Sequence, residues 1–227
     1  MALTAERVRR TLGSGSVADR QALVDALPHH PLRATARAMM KSRSPATLVA
    51  VLAALARRYC FGASPSVGAA LAAGLHARGC EIARRTPDHG LLAVTLSGLA
   101  LAHVGALTQL SRFDELLAAS AHYLSVQDQL LARCRDPDCE QNTATLRLFR
   151  VEALLALARH DEAAATLRAH PELFADPANA LEARRLHARL EAARGTALPR
   201  PRPSCRLDVS RSATSVGRRS PSEEILR

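Results

Sequence analysis

Two copies of one ten-residue phrase constrain the fold of this chain more than any other feature of its sequence. Residues 110–119 read Leu-Ser-Arg-Phe-Asp-Glu-Leu-Leu-Ala-Ala, and residues 157–166 read Leu-Ala-Arg-His-Asp-Glu-Ala-Ala-Ala-Thr, 47 positions later. In each copy an Ala- and Leu-rich segment ends, a short polar turn follows, and a second such segment begins. This is the layout of a helical hairpin that is repeated along a chain. The sequence therefore predicts an all-α protein.

The composition and the turn signals agree with that prediction. Hydrophobic residues make up 48% of the 227 residues but aromatic residues only 3%, which suits close packing between helices better than a β-sheet core. A polar residue followed by proline, at 44–45, 64–65, 86–87, 136–137 and 176–177, marks helix starts, because the polar side chain can cap the first turn and proline loses no hydrogen bond there. Together with apolar periodicity, these signals predict helices at 4–12, 17–27, 31–42, 45–60, 66–84, 89–110, 112–133, 141–158, 161–169 and 177–194.

The two phrases resemble the tetratricopeptide repeat, in which helix A ends in a polar turn and helix B begins with an acidic pair and a small residue. The segment 161–163, Asp-Glu-Ala, matches the start of helix B, and the segment 114–116, Asp-Glu-Leu, carries the acidic pair followed by a larger residue. The offset of 47 exceeds the usual period of about 34 residues. The excess falls around residues 133–142, so either a helix or the loop is longer there.

The resemblance implies a stack of antiparallel helical hairpins, a TPR-like α-solenoid, over residues 1–195. It is strongest over 97–175 and covers less regular hairpins over 44–110. It also implies a concave groove lined by A helices that holds a peptide or a partner helix. The groove positions carried over to this chain are Thr145, Leu148, Glu152 and Leu155. Leu148 and Glu152 replace the basic residues that a carboxylate-binding groove needs, so we expect a mildly apolar groove.

Net charge leaves a second function open. The formal charge is +10, but residues 86–195 carry 11 basic and 14 acidic groups, so the excess lies at the two ends. Arg33, Arg37, Lys41 and Arg43 can share one helical flank in the basic N-terminal third. A nucleic-acid-associated regulatory protein that uses this third and the basic tail is therefore the alternative to a protein-binding scaffold.

The sequence lacks the usual signatures of catalysis. It has no Gly-rich phosphate loop with Lys, no Gly-x-Ser-x-Gly turn, and no His-x-x-x-His pair. His103 lies in an apolar stretch and is expected to be a core residue. Cys134 and Cys139 do not have the two-residue spacing of a zinc or redox pair, and we interpret them as buried or idle thiols or a local disulfide. We expect a non-enzymatic protein with no cofactor and no metal.

Three further segments of the sequence bear on the location of the protein and on its order. Residues 90–110 form the longest uncharged stretch, which we interpret as a buried solenoid helix in preference to a transmembrane span. Without a signal peptide the chain is expected to be cytoplasmic, with an Arg-rich organelle transit segment at residues 1–43 as the alternative. Residues 196–227, rich in Pro, Ser and Arg, predict a disordered tail.

The helix at 177–194 has no following helix in the sequence to cover it. Its apolar face carries Ala180, Leu181, Ala188 and Leu190. That face must be covered by other helices of the same chain or by another chain. We therefore expect self-association through 177–194 as one form of partner binding.

Overall fold

A computed structural model describes residues 3–42, 44–85, 90–133 and 136–195. These residues contain eleven helices and no strand, which confirms the all-α prediction. Each of the ten predicted helices has a counterpart, and one short helix was not predicted. The helices are α1 (Ala5–Ser14), α2 (Val17–Asp25), α3 (Leu32–Met39), α4 (Pro45–Cys60), α5 (Pro65–Ala83), α6 (Gly90–Gln109), α7 (Phe113–Leu131), α8 (Pro137–Ala156), α9 (His160–Ala169), α10 (Glu172–Ala175) and α11 (Ala180–Ala193). The predicted tail, 196–227, and the pair 86–87 lie outside the described residues.

Four of the polar-proline pairs can be compared with the helix starts that they predict. At the pair 64–65, α5 begins at Pro65, as the pair predicts, but the Ser64 side chain makes no capping hydrogen bond. Ser44 caps α4, since its hydroxyl accepts the Thr47 backbone N–H at 3.3 Å. Asp136 caps α8 by accepting the backbone N–H groups of Asp138 at 2.9 Å and Cys139 at 3.2 Å. The predicted start of this helix at residue 141 was therefore four residues too late.

The pair at 176–177 begins a turn, not a helix. The Asp176 carboxylate accepts the backbone N–H of Ala178 at 3.1 Å. The backbone carbonyl oxygen of Asp176 accepts the N–H groups of Asn179 and Ala180. The last helix begins at Ala180, three residues after the predicted start.

The extra length between the two phrases lies in the helices. Helix α7 has 19 residues and α8 has 20, and only residues 132–136 separate them. Of the two explanations that the sequence left open, the structure supports longer helices.

The two phrases fold into the same turn. Ser111 and Ala158 occupy equivalent positions and have φ of 54° and 56°, the only positive φ values among the described non-glycine residues. The next backbone N–H donates five residues back in both cases, from Arg112 to the Leu107 carbonyl at 2.9 Å and from Arg159 to the Leu154 carbonyl at 2.8 Å. This is the Schellman motif, which satisfies the free carbonyls at a helix end.

The same ion pair follows each turn. Arg112 pairs with Glu115 at the start of α7, and Arg159 pairs with Glu162 at 2.6 Å at the start of α9. Each Glu lies in the first turn of its helix, where the helix dipole favours a negative charge. The sequence repeat is therefore also a repeat of backbone geometry and of side-chain contacts.

Helix α6 belongs to two hydrophobic cores. Leu96, Leu99, Ala102 and Ala106 pack in a core built mainly from α1 to α6. Its residues Ala100, Val104 and Leu107 pack in a second core with α7, α8, α9 and α11. Among the described residues α6 is the one helix that is long and apolar enough to cross a membrane, over Leu92–Gln109, and 61% of that stretch is buried inside the fold.

The helices contact one another in a regular order. Short connections join α4 to α5, α6 to α7 and α8 to α9. Each of these pairs is in contact, and in addition α4 contacts α6, α6 contacts α8, and α8 contacts α11. The helices α4, α6, α8 and α11 therefore lie side by side in succession.

Candidate functional site

Three of the four predicted groove residues line one cavity. Thr145, Leu148 and Glu152 lie on α8, and the cavity of about 300 Å³ separates them from the start of α11. Leu155, the fourth, does not line it and is half-buried against the second core. We call this space the α8–α11 cavity; its lining residues are Gln141, Thr145, Leu148, Phe149, Glu152, Ala178, Asn179 and Glu182.

Hydrogen bonds fix the wall of the cavity on the α11 side. The Thr145 hydroxyl lies 3.1 Å from Oδ1 of Asn179, which it can reach as a donor, and 3.0 Å from the Gln141 carbonyl oxygen. Asn179 is buried, and its Nδ2 donates to Oδ2 of Asp176 at 2.5 Å. These bonds join α8 to the turn that precedes α11, so polar contacts connect the two walls of the cavity.

The floor of the cavity is apolar and its rim is charged. Leu148, Phe149 and Ala178 provide the apolar surface, and Glu152 and Glu182 provide two carboxylates. Arg185 pairs with Glu182 at 2.6 Å and lies 3.8 Å from Glu152. An apolar floor with a few polar groups around it is the usual form of a ligand-binding cleft.

A second open surface lies on α4 and was not predicted from the sequence. Ala54, Arg57, Arg58, Phe61 and Gly62 line a cleft of about 580 Å³, which we call the α4 cleft. Phe61 is 58% exposed, which is unusual for a Phe side chain. The sequence did contain one signal for this surface. Phe61, one of only four Phe residues in the chain, stands directly before a glycine at the end of a predicted helix.

One lining residue of the α4 cleft and one of the α8–α11 cavity approach the same glycine, Gly105 of α6. A Cβ atom on Gly105 would lie 2.9 Å from Cε1 of Phe61 and 3.9 Å from Cζ of Phe149. Phe149 also lines the α8–α11 cavity. The absence of a side chain at Gly105 therefore lets one ring from α4 and one from α8 approach the same point of α6. We call Phe61, Gly105 and Phe149 the phenylalanine bridge.

A third cluster is polar but buried. Nδ1 of His103 lies 2.6 Å from the Tyr123 hydroxyl, and the Tyr123 ring lies 4.3 Å from the His76 ring, centroid to centroid. Burial lowers the pKa of His76 to about 3 and that of His103 to about 4, because a desolvated imidazole disfavours its charged form. Neither residue lines the cavities described above, so we interpret the cluster as part of the core, as expected for His103.

The buried thiols are unreactive for the same reason. Burial raises the pKa of Cys60 to about 12 and that of Cys80 to about 11, whereas the thiolate is the reactive form. Cys139 is buried as well, and Cys134 lies outside the described residues. In the part of the chain that the structure describes, no group of three or more His, Cys, Asp or Glu residues is placed to hold a metal ion.

The four cations predicted to bind nucleic acid differ in the contacts that they make. Arg33 donates to the Leu27 carbonyl oxygen at 2.8 Å, and Arg37 pairs with Asp25 at 2.9 Å. Lys41 is exposed, and Arg43 lies outside the described residues. Two of these four cations are therefore engaged within the N-terminal region itself.

Of the four residues named for the self-association face of α11, Leu190 is buried, Ala180 and Ala188 are half-buried, and Leu181 is exposed. Ala183, Leu186 and Leu190 are buried in the second core. Leu181 is 80% exposed, in contrast. The exposed apolar surface of this helix is therefore smaller than the sequence suggests.

Comparison with known proteins gives no further guide to the site. No protein-family model, no curated protein and no solved structure matches this chain. The geometry of the α8–α11 cavity and the α4 cleft is therefore the basis on which a function is argued.

Proposed function

We propose that this protein is a non-catalytic interaction scaffold whose helical hairpins stack in the manner of tetratricopeptide repeats. The order of helix contacts supports this proposal, because α4, α6, α8 and α11 follow one another as the A helices of such a stack would. The identical turns at Ser111 and Ala158 support it too, since equivalent turns give successive hairpins the same internal geometry.

The observation that carries the proposal is the position of Thr145, Leu148 and Glu152. The resemblance to the repeat assigns these residues to a peptide groove, and all three line the α8–α11 cavity. The opposite wall is formed by Ala178 and Glu182, at the position of the next A helix. A segment of a partner protein would bury apolar side chains on Phe149 and Ala178 and place polar groups at the rim.

A selection with a random peptide library displayed on phage tests this proposal. The full chain serves as bait, and the affinity of each enriched peptide is measured by fluorescence anisotropy. Ala178→Arg should weaken binding at least about tenfold, because the exposed Ala178 lines the cavity and a long side chain there would occupy it.

Ala165→Arg is the matched control. Ala165 is also an exposed alanine, although it lies within helix α9 and Ala178 lies in the turn before α11; it is outside both surfaces, so its replacement should leave the affinity unchanged. Circular dichroism of both variants should show wild-type helix content. Enriched peptides that bind the Ala178→Arg variant as tightly as the wild type, or a selection that enriches no peptide over bare resin, would refute the proposed site.

A further inference from the structure

The two arginines of the α4 cleft make no ion pair with a described carboxylate, which is also true of other described arginines such as Arg7, Arg84 and Arg184. Arg37, Arg112 and Arg159 are ion-paired, whereas Arg57 and Arg58 have no carboxylate of the described residues within 4.0 Å. Both lie in the last turn of α4, where the helix dipole favours cations. Their guanidinium donors remain available to a ligand.

An exposed aromatic ring adjoins these two cations. Phe61 lines the α4 cleft together with Arg57 and Arg58, and through the phenylalanine bridge it lies near Phe149, which lines the α8–α11 cavity. Aromatic and Arg side chains are the residues that most often dominate the binding energy of protein interfaces. This surface therefore combines an apolar anchor point with unsatisfied positive charge.

The two surfaces are close enough for one segment to contact both. Packed helices lie about 8–10 Å apart, so the path from α4 across α6 to α8 measures roughly 16–20 Å. An extended segment covers that distance with about five or six residues. The rings of Phe61 and Phe149 lie against the buried Gly105, so the middle of the path is an aromatic surface.

We propose that the partner segment bound by this scaffold carries an Asp or Glu beside a bulky apolar residue. The carboxylate binds Arg57 and Arg58, the apolar side chain packs on the rings of Phe61 and Phe149, and the rest of the segment continues to the α8–α11 cavity. This inference rests on the proposed function, because it names the partner chemistry of the same groove.

A carboxylate fits this surface better than a nucleic-acid backbone. Two arginines neutralise only two phosphates, whereas nucleic-acid binding proteins commonly make several such contacts. The surface also continues to the α8–α11 cavity, whose lining includes the carboxylates Glu152 and Glu182, and the nearby cations Arg185 and Arg189 are already paired with them. A polyphosphate chain that followed the phenylalanine bridge would meet these two carboxylates.

The peptide selection on the full chain also tests this inference. Enriched peptides should share an acidic residue next to Phe, Leu, Trp or another large apolar residue. Arg57→Gln/Arg58→Gln should weaken their binding at least about tenfold through the loss of charge-assisted hydrogen bonds. Arg57→Lys/Arg58→Lys keeps the charge and should retain most of the affinity. Phe61→Ala should also cost at least about tenfold.

Met39→Ala is the matched control for Phe61→Ala. Met39 is a partly exposed apolar residue on α3, away from both surfaces, so its replacement should not change the affinity. Peptides that lose affinity with Ala178→Arg but keep it with both Arg57→Gln/Arg58→Gln and Phe61→Ala would overturn the inference and leave the proposed function standing. Peptides insensitive to Ala178→Arg would refute the proposed function itself.

A binding assay with a single-stranded oligonucleotide tests whether the α4 cleft binds nucleic-acid phosphate in place of a peptide carboxylate. It should bind the wild type no better than the Arg57→Gln/Arg58→Gln variant at low salt. Oligonucleotide binding that depends on these two arginines and weakens steeply with salt would assign the cleft to phosphate and overturn the inference.

Discussion

At the scale of single residues, the buried polar cluster couples stability to pH. His76 is 1% exposed, and its Nε2 atom has no hydrogen-bond partner among the described residues. The groups that face it are Tyr123, Cys80 and His122, and none of them supplies a carboxylate. A charged imidazole would therefore be uncompensated, which agrees with the lowered pKa of His76.

We expect the free energy of unfolding to fall as the pH drops below about 6.5, the pKa of histidine in an unfolded chain. The unfolded chain takes up protons there while His76, with a pKa of about 3, remains neutral in the fold. At pH 4.5 this difference amounts to about 2–3 kcal/mol for His76. His76→Leu should reduce the loss between pH 7 and pH 4.5 by that amount, as measured by urea denaturation.

His29→Gln provides the control for this measurement. His29 is exposed in the connection between α2 and α3, and its replacement should leave the pH dependence as it is in the wild type. Equal pH dependence in the wild type and His76→Leu would contradict the assignment of the effect to His76.

At the scale of structural elements, the two repeated turns hold non-glycine residues in the left-handed region. Such a conformation costs about 1–2 kcal/mol for an L-residue with a Cβ atom. Glycine avoids this cost but loses about 0.5–1 kcal/mol of backbone entropy. Ala158→Gly should therefore raise the free energy of unfolding by about 0.5–1 kcal/mol, which chemical denaturation can measure.

Ala165→Gly tests whether the left-handed conformation of Ala158 is the reason for the expected gain in stability. Ala165 lies inside α9 with a helical backbone, where glycine costs about 1 kcal/mol relative to alanine. The free energy of unfolding should therefore rise with Ala158→Gly and fall with Ala165→Gly. A loss of stability in both would show that Ala158 is not strained.

Most elements could be predicted from the sequence because their signals are local. Apolar periodicity located ten helices, and Ser44 marked the start of α4. The start of α8 was misplaced, although Asp136 and Pro137 indicated it, because the polar first turns carry no apolar stripe. The short α10 gives no periodic signal at all.

The candidate site was only partly predictable, for a related reason. Thr145, Leu148 and Glu152 share one face of one helix, so a repeat pattern on α8 could locate them. The phenylalanine bridge depends on three helices that are distant in sequence, and no local pattern relates Phe61 to Gly105 or Phe149. Such a contact follows only from the way in which α4, α6 and α8 pack together.

At the scale of the whole molecule, two hydrophobic cores share α6. Leu99 is fully buried in the first core, and Leu186 of α11 is fully buried at the far end of the second. Leu99→Ala and Leu186→Ala should each cost about 2–5 kcal/mol as cavity-forming changes. Their effects on local stability should differ, because one lies in the shared helix and the other in a terminal helix.

Native-state hydrogen exchange measures this difference. Leu99→Ala should increase the exchange of amides in α4 and α5 as well as in α8. Leu186→Ala should act mainly on α9 and α11. If Leu186→Ala increased exchange in α4 as much as in α9, the two cores would open as a single unit.

The shared position of α6 also has a consequence for synthesis of the chain. A ribosome completes α6 before α7 and α8, so the side that bears Ala100, Val104 and Leu107 emerges before the helices that cover it. During that interval a stretch of 18 residues with a mean hydropathy of 1.4 has only one of its sides protected. We therefore expect the nascent first half to expose an apolar, aggregation-prone surface until the later helices of the second core have been synthesised.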